Sequence, residues 1–395
     1  MKFEEARALE AKLFLPVVKR LPVLLVEGRG ARVVDSEGRE LVDLTAGWGV
    51  TAIGHCHPRL VQAISEQAGR LMQTTNLFYT EPQLELAERL VRAAPAALTR
   101  CFFMSSGTEA MEGAIKLAHR ATGRHRFLST LNSFHGRTLG ALNLIGQEKH
   151  RAPYRALLPE ASFVPFGDLA AARAAMNNEI AAFVVEPIQG EGGVNVPPPG
   201  YLSDLRKLCD EHGALLVLDE IQTGIGRTGR MFALEHEGVV PDVLTLGKGL
   251  GGGFPIAAFL TTEAVAKTVS LGDHGGTYAG NALACAAANA VLEEIEASQL
   301  VARAAELGAR VLARLSEFTR QHPDCTCEAR GRGLLLGLEL CDPERAAQLP
   351  LRALERGVLV NVAAGRVLRL FPALNIPEED LWPALETVLD LVAIA

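Results

Sequence analysis

The stretch ALLVLDEIQTG, Ala214 to Gly224, decides how this chain folds. Ala214 to Leu218 are apolar without a break, Asp219 and Glu220 follow at once, and Thr-Gly closes the run. A short apolar run ended by acids and a turn reads as a strand buried on both faces. Its acids then lie at the carboxyl end of the strand, the edge at which layered α/β sheets bind ligands.

Other segments read the same way on either side. CFFMS (101–105), RFLSTL (126–131), SFVPF (162–166), AAFVVEPI (181–188), DVLTLG (242–247) and IAAFLTT (256–262) are short apolar runs. Helical spacing fills the gaps, notably from Gly107 to Ala121 and from Tyr201 to His212. Strands that alternate with helices predict an α/β domain, a mostly parallel seven-stranded sheet between helices.

The ends differ. LLVEGRGARVVDSEGRELVDL (24–44) reads as two short strands joined by Gly and Ser-Glu-Gly turns, a meander. After about Glu296 a long helix leads into GRGLLLGLEL (331–340), GRVLRLFPAL (365–374) and a closing helix over 377–393. The two ends together predict one smaller α+β domain. The expected division is 1–55 for its N-terminal part, 56–296 for the large domain and 297–395 for its C-terminal part.

Composition bounds the partners. The chain has 395 residues, enough for two domains. Its net charge is −7 with no basic block, which argues against nucleic acid. No uncharged apolar stretch is long enough to span a membrane. The N-terminus, MKFEEARALEAKLF, alternates acids with apolar residues at helical spacing and lacks the pattern of a signal peptide. Seven scattered cysteines fit a reducing cytoplasm. GHCHP (54–58) holds two histidines around a cysteine, but no second ligand cluster accompanies it, so no metal is expected.

A strand ending in Asp-Glu also suits a magnesium-binding nucleotide hydrolase, which requires G-x-x-x-x-G-K-[ST]. GIGRTGR (224–230) ends in arginine, and in GKGLGGG (247–253) Lys248 is followed by glycine, so that class is set aside. Lys248 is one of only 8 lysines against 31 arginines, set in an apolar, glycine-rich tract. It reads either as a solvated loop tip or as a desolvated amine able to form a Schiff base. Asp219 reads either as a cap on the turn that follows or as a buried carboxylate holding a cofactor ring nitrogen protonated. The sharper reading of each suits pyridoxal phosphate (PLP). SSGTEAMEGAIKLA (105–118) begins a helix whose free N–H groups suit either a phosphate or a plain cap. Phe134, in NSFHGRTLG (132–140), is either a ring-stacking aromatic or a core residue.

Taken in order, GHCHP, NLFYTEP, SSGTEAMEGAIKLA, FHGRTLGAL, EPIQGEGGV, LLVLDEIQTGIGRTG, LGKGLGGGFPI and GDHGGTYAGNALA resemble the class-III PLP-dependent aminotransferases, in particular the acetylornithine group. The resemblance implies a fold-type-I PLP-dependent transferase. By that resemblance Lys248 carries the cofactor and shuttles the proton, and Asp219 pairs with the ring nitrogen. Gln222, one helical turn on, serves the ring hydroxyl. Ser106, Gly107 and Thr108 bind the phosphate, Phe134 stacks on the ring, and Thr277 completes the phosphate site of a partner subunit in a homodimer. Arg137 and Arg369 take substrate carboxylates, Gly276 lies beside the substrate, Glu191 neutralises Arg369 when an ω-amine is bound, and Glu186 is a supporting acid.

The implied reaction passes the ω-amine of N-acetylornithine to 2-oxoglutarate, giving N-acetylglutamate 5-semialdehyde and L-glutamate, as in arginine synthesis. Succinylornithine, ornithine, 4-aminobutyrate and a carrier-linked aminoadipate semialdehyde remain open as substrates. Ser105 and Met111 replace asparagines common in the family, Ala279–Ala282 departs from Gly-Gly-Asn-Pro, and Gly276 replaces a hydroxyl residue. Trp48 narrows the expected substrate mouth.

Overall fold

A computed structural model describes residues 1–159 and 161–394. Its centre is a seven-stranded sheet, ordered Leu98–Met104, Ala257–Thr262, Val243–Leu246, Leu215–Asp219, Ile180–Val185, Arg126–Thr130 and Ala161–Val164. The strands from Val243–Leu246 to Ala161–Val164 pair in parallel, and Ala257–Thr262 runs antiparallel to both its neighbours. Every residue of Ile180–Val185 and of Val243–Leu246 is buried, because helices cover both faces of the sheet. Burying a side chain such as Phe183 or Leu218 stabilises the fold by about 1.5–3 kcal/mol.

The helix Gly107–Thr122 buries Ala110, Met111, Ala114, Leu117 and Ala118 against the sheet and ends at Gly123, whose φ of 69° closes it in the left-handed region. Tyr201–His212 is helical over the span its periodicity predicts.

Both chain ends build the smaller α+β part. One four-stranded sheet is ordered Leu25–Arg29, Arg32–Asp35, Glu40–Asp43 and Val358–Leu359, the last pairing in parallel with Glu40–Asp43. Residues far apart in sequence therefore close one sheet. The second sheet is ordered Thr326–Arg332, Leu335–Leu340, Val367–Leu370 and Asn361–Ala363. The N-terminal meander holds three strands where the sequence suggested two. Gly30, at a φ of 59°, makes the first of the two turns, between Leu25–Arg29 and Arg32–Asp35, and two turns separate three strands.

The GHCHP histidines serve the fold. His55 Nε2 lies 2.8 Å from Asp43 Oδ2, and His57 Nε2 lies 3.7 Å from Glu294 Oε1. The N-terminal helix Phe3–Leu13 buries none of its residues. Leu9, Leu13, Phe14, Leu15 and Val17 are exposed on and just beyond it, and Leu77, Phe78, Tyr79 and Tyr278 are exposed elsewhere. Among the described residues no helix is long and apolar enough to cross a membrane.

Candidate active site

Parallel strands point their carboxyl ends to one edge, and the loops leaving that edge meet around a cavity of about 200 Å³. Leu215–Asp219 delivers Asp219, Ile221 and Gln222, and Val243–Leu246 leads into Lys248. Arg126–Thr130 leads to Phe134 and His135, and Ile180–Val185 to Glu186 and Glu191. Gly107 and Thr108, at the start of the helix Gly107–Thr122, complete the wall.

Asp219 is buried. Its Oδ1 accepts hydrogen bonds from Ile221 N–H at 3.0 Å and Thr245 Oγ1–H at 3.2 Å. Its Oδ2 lies 2.6 Å from Nδ1 of His135, itself buried. Burial alone would lower the His135 pKa, but the hydrogen bond and charge of Asp219 reverse this and hold it above the ordinary value. Glu186 accepts from the backbone N–H of Phe134 at 3.1 Å and of Gly190 at 3.2 Å. Burial, with Asp219 adding to it, pushes its carboxyl up to about 7.

Lys248 opens a short 3-10 turn in the left-handed region, with φ at 42°. For a residue with a side chain that conformation costs about 1–3 kcal/mol and recurs at functional positions. Burial is the main reason its amine titrates below the ordinary lysine value; Arg369 adds to the shift, and Glu191 and Asp219 oppose it. A buried amine whose charged form is disfavoured gives up its proton more readily than an exposed lysine, as a nucleophile must.

Arg369 has no exposed surface at all. Its Nη1 donates to Glu191 Oε1 at 2.7 Å and to Gln222 Oε1 at 3.1 Å, and its Nε and Nη2 both donate to Asn361 Oδ1, at 3.1 and 2.8 Å. The guanidinium also stacks 4.3 Å from the Phe371 ring centroid. Burial alone would raise Glu191, but the charges of Arg369 and Lys248 outweigh it and hold its carboxyl down at about 2. Gln222 Nε2 donates to Glu191 Oε1 at 3.3 Å. Gln222 sits in a turn and not in a helix, since the chain after Asp219 bends through consecutive turns.

Thr108 Oγ1 accepts from the N–H groups of Arg137 and Thr138, both at 3.2 Å, and so fastens the His-Gly-Arg loop to the helix start. Gly136 permits this approach, because a Cβ there would lie 2.3 Å from that oxygen. The exposed Arg137 guanidinium lies 5.4 Å from the Phe134 ring centroid. Ser106 Oγ donates to Glu109 Oε2 at 2.8 Å.

The cavity wall thus unites Lys248, Asp219, Gly107, Thr108, Phe134, Gln222 and Glu191, with Arg369 bonded to two of them. Ser106, Arg137, Gly276 and Thr277 are not on that wall. Gly276 and Thr277 are exposed, and the Thr277 carbonyl accepts from Gln73 Nε2 at 2.6 Å. Trp48 is more than half exposed. His135, Thr245 and Asn361 were missed by sequence reasoning. His135 stands inside a quoted motif, but its partner Asp219 is 84 positions away.

An amine, a buried carboxylate, an aromatic ring and a helix N-terminus around one cavity define an enzyme that works through a planar, phosphorylated carbonyl cofactor. The chain belongs to the class-III aminotransferase family, whose pattern it matches over residues 15–392. It is 48% identical over 386 residues to the acetylornithine aminotransferase of Methanopyrus kandleri, covering 98% of each chain. Its fold superposes with a TM-score of 0.93 on the ornithine aminotransferase of Toxoplasma gondii crystallised with oxidised glutathione, at 33% identity, covering 99% of this chain and 94% of that one. That structure holds PLP at partial occupancy in its active site. The acetylornithine aminotransferase of Elizabethkingia anophelis gives a TM-score of 0.86 at 32% identity, covering 100% of each chain.

Proposed function

We propose that this aminotransferase uses PLP to pass the ω-amine of N-acetylornithine to 2-oxoglutarate, giving N-acetylglutamate 5-semialdehyde and L-glutamate. The observation that carries the reading is the Arg369–Glu191 pair at 2.7 Å, in contact with Gln222 on the cavity wall. A site that must accept both an α-amino dicarboxylate and an ω-amine needs an arginine that can be exposed in one half-reaction and neutralised in the other. The acyl group follows from the similarity to acetylornithine aminotransferases.

The residues present fit the cofactor. Gly107 lets the helix start pack against Ile221, another residue of the cavity wall, since a Cβ there would come within 2.8 Å of Ile221 Cδ1. Gly107 and Thr108, with Ser106 beside them, offer donors for a phosphate, and Thr277 of a partner subunit adds a hydroxyl. Phe134 offers a ring face, Asp219 a carboxylate for the ring nitrogen, and Gln222 an amide for the ring hydroxyl. Bound there, PLP supplies an electron sink that lets a C–H bond beside an amine break heterolytically.

The chain's own groups do the rest. Lys248 Nζ holds the cofactor and then takes the proton from the amine-bearing carbon of the substrate. His135 holds Asp219 in place. Arg137 takes the carboxylate remote from the reacting amine, and Arg369 takes the α-carboxylate of glutamate once Glu191 moves aside, using the bidentate geometry of guanidinium. Gly276 leaves room beside the substrate. The same reading makes the protein a cytoplasmic homodimer with the small domain formed by 1–55 and 297–395. The exposed apolar residues Leu77, Phe78, Tyr79 and Tyr278 support an association surface.

The test is a panel of amino donors with 2-oxoglutarate as acceptor: N-acetylornithine, succinylornithine, ornithine and 4-aminobutyrate. The reading expects the highest kcat/KM for N-acetylornithine. A higher value for any of the others would reassign the substrate.

A further inference from the structure

The amide of Gln222 sits in a space that only glycine at position 190 can leave open. A Cβ on Gly190 would lie 1.6 Å from Gln222 Oε1 and 2.4 Å from its Cδ. The φ of Gly190 is not positive, so backbone conformation does not demand glycine there. The demand comes from the neighbouring side chain. Gly190 is also next in sequence to Glu191, and its own N–H is held by Glu186 Oε1 at 3.2 Å.

Gln222 is the third member of the ion pair. Its Oε1 accepts from Arg369 Nη1 at 3.1 Å while its Nε2 donates to Glu191 Oε1 at 3.3 Å. The two charged partners fix the amide orientation, since guanidinium can only donate and carboxylate can only accept. Glu191 and Arg369 are therefore joined twice, once directly at 2.7 Å and once through the amide. The second amide hydrogen remains available to a cofactor oxygen.

We propose that Gly190 is a specificity-determining residue. By leaving room for the Gln222 amide it stabilises the closed Glu191–Arg369 pair, the state that accepts an ω-amine, over the open state that accepts the α-carboxylate of glutamate. The inference rests on the function proposed above and extends it, making donor choice a property of three side chains and one absent side chain. Gly190 is a positioning residue that acts through Gln222.

The test is Gly190→Ala in the holoenzyme. The clash falls on the far end of a flexible side chain, so the amide swings away and the backbone stays. Loss of hydrogen bonds to charged groups shifts the balance toward the open state by roughly tenfold. In single-turnover half-reactions, kcat/KM for N-acetylornithine divided by that for L-glutamate is expected to fall roughly tenfold. Glutarate, a non-reacting dicarboxylate, is expected to bind more tightly by calorimetry because Arg369 is released. Gln222→Ala removes the amide directly, and adding Gly190→Ala to it is expected to shift the ratio no further, as for two changes acting through one contact.

An unchanged ratio and unchanged glutarate binding in Gly190→Ala would overturn the inference. So would full additivity with Gln222→Ala, the mark of a merely structural glycine. Wild-type protein that takes no amine from glutamate would overturn the functional reading and this inference together. Wild-type transfer combined with either of the first two results would overturn this inference alone.

Discussion

His135 Nδ1 lies 2.6 Å from Asp219 Oδ2, with both residues buried at the carboxyl edge of the central sheet. The imidazole restrains the carboxylate from one side while Thr245 Oγ1 and the Ile221 N–H restrain it from the other. Asp219 cannot rotate without leaving a buried donor unpaired. A hydrogen bond to a charged group contributes about 1.5–3 kcal/mol, so His135→Ala is expected to lower kcat by roughly tenfold or more. Visible absorbance should show the cofactor still bound, since Lys248 is untouched. Loss of cofactor with kcat preserved on reconstitution would show that His135 holds the ring and not the acid.

Glu191 pairs with Arg369 at 2.7 Å, and under the proposed function it is needed for the ω-amine half-reaction and not for the glutamate one. In Glu191→Gln the buried guanidinium of Arg369 loses its counter-charge beside the cavity. The efficiency with N-acetylornithine should drop by at least about tenfold, as expected when a buried charge loses its partner. The efficiency with glutamate should hold or rise. Parallel single-turnover measurements with the two donors check this, and equal losses would mean that the pair is structural.

Glu186 gives the fold a pH dependence of defined sign. Its folded-state value of about 7 stands above the ordinary 4.5 because it is buried, with Asp219 adding to the shift, His135 opposing it and Lys248 also facing the cluster. A raised folded pKa means that the folded protein binds more protons between those two values. The contribution to stability is complete below about pH 4.5 and is lost as pH rises through 7, by up to about 1.4 kcal/mol per pH unit. Glu186→Gln should remove this slope. Urea denaturation of the cofactor-free protein between pH 5 and 8 reads it, and an unchanged slope would place the proton elsewhere in the Glu186–His135–Asp219 group.

Thr277 is exposed and off the cavity wall of its own subunit. If it serves the partner, Lys248→Ala and Thr277→Ala protomers complement each other. A mixed dimer contains one site with Lys248 from one subunit and Thr277 from the other. Activity above the mean of the two parents after mixed refolding is the expected result. No recovery would contradict a shared site.

Much of this was legible in the sequence for a physical reason. A strand buried on both faces must be apolar, so Ile180–Val185 and Leu215–Asp219 announce themselves, and with them the edge on which Asp219, Glu186 and Lys248 stand. What stayed hidden depends on proximity between distant segments. His135 reads as one residue of a loop until Asp219 is beside it. Gly190 is one glycine of EPIQGEGGV until Gln222 is seen in the space where a Cβ would be. Asn361, which holds Arg369 from the paired position on the neighbouring strand, carries no pattern of its own.

The central claim is that Lys248 carries PLP and that an amine passes through it from an ω-amino donor to an oxo acid. It is tested most directly by the visible absorbance of the purified protein during sequential additions. The account predicts a yellow band that N-acetylornithine bleaches and 2-oxoglutarate restores, and no such band in Lys248→Ala. A wild-type protein that stays colourless after incubation with PLP, or a yellow one that no amino donor bleaches, would contradict it.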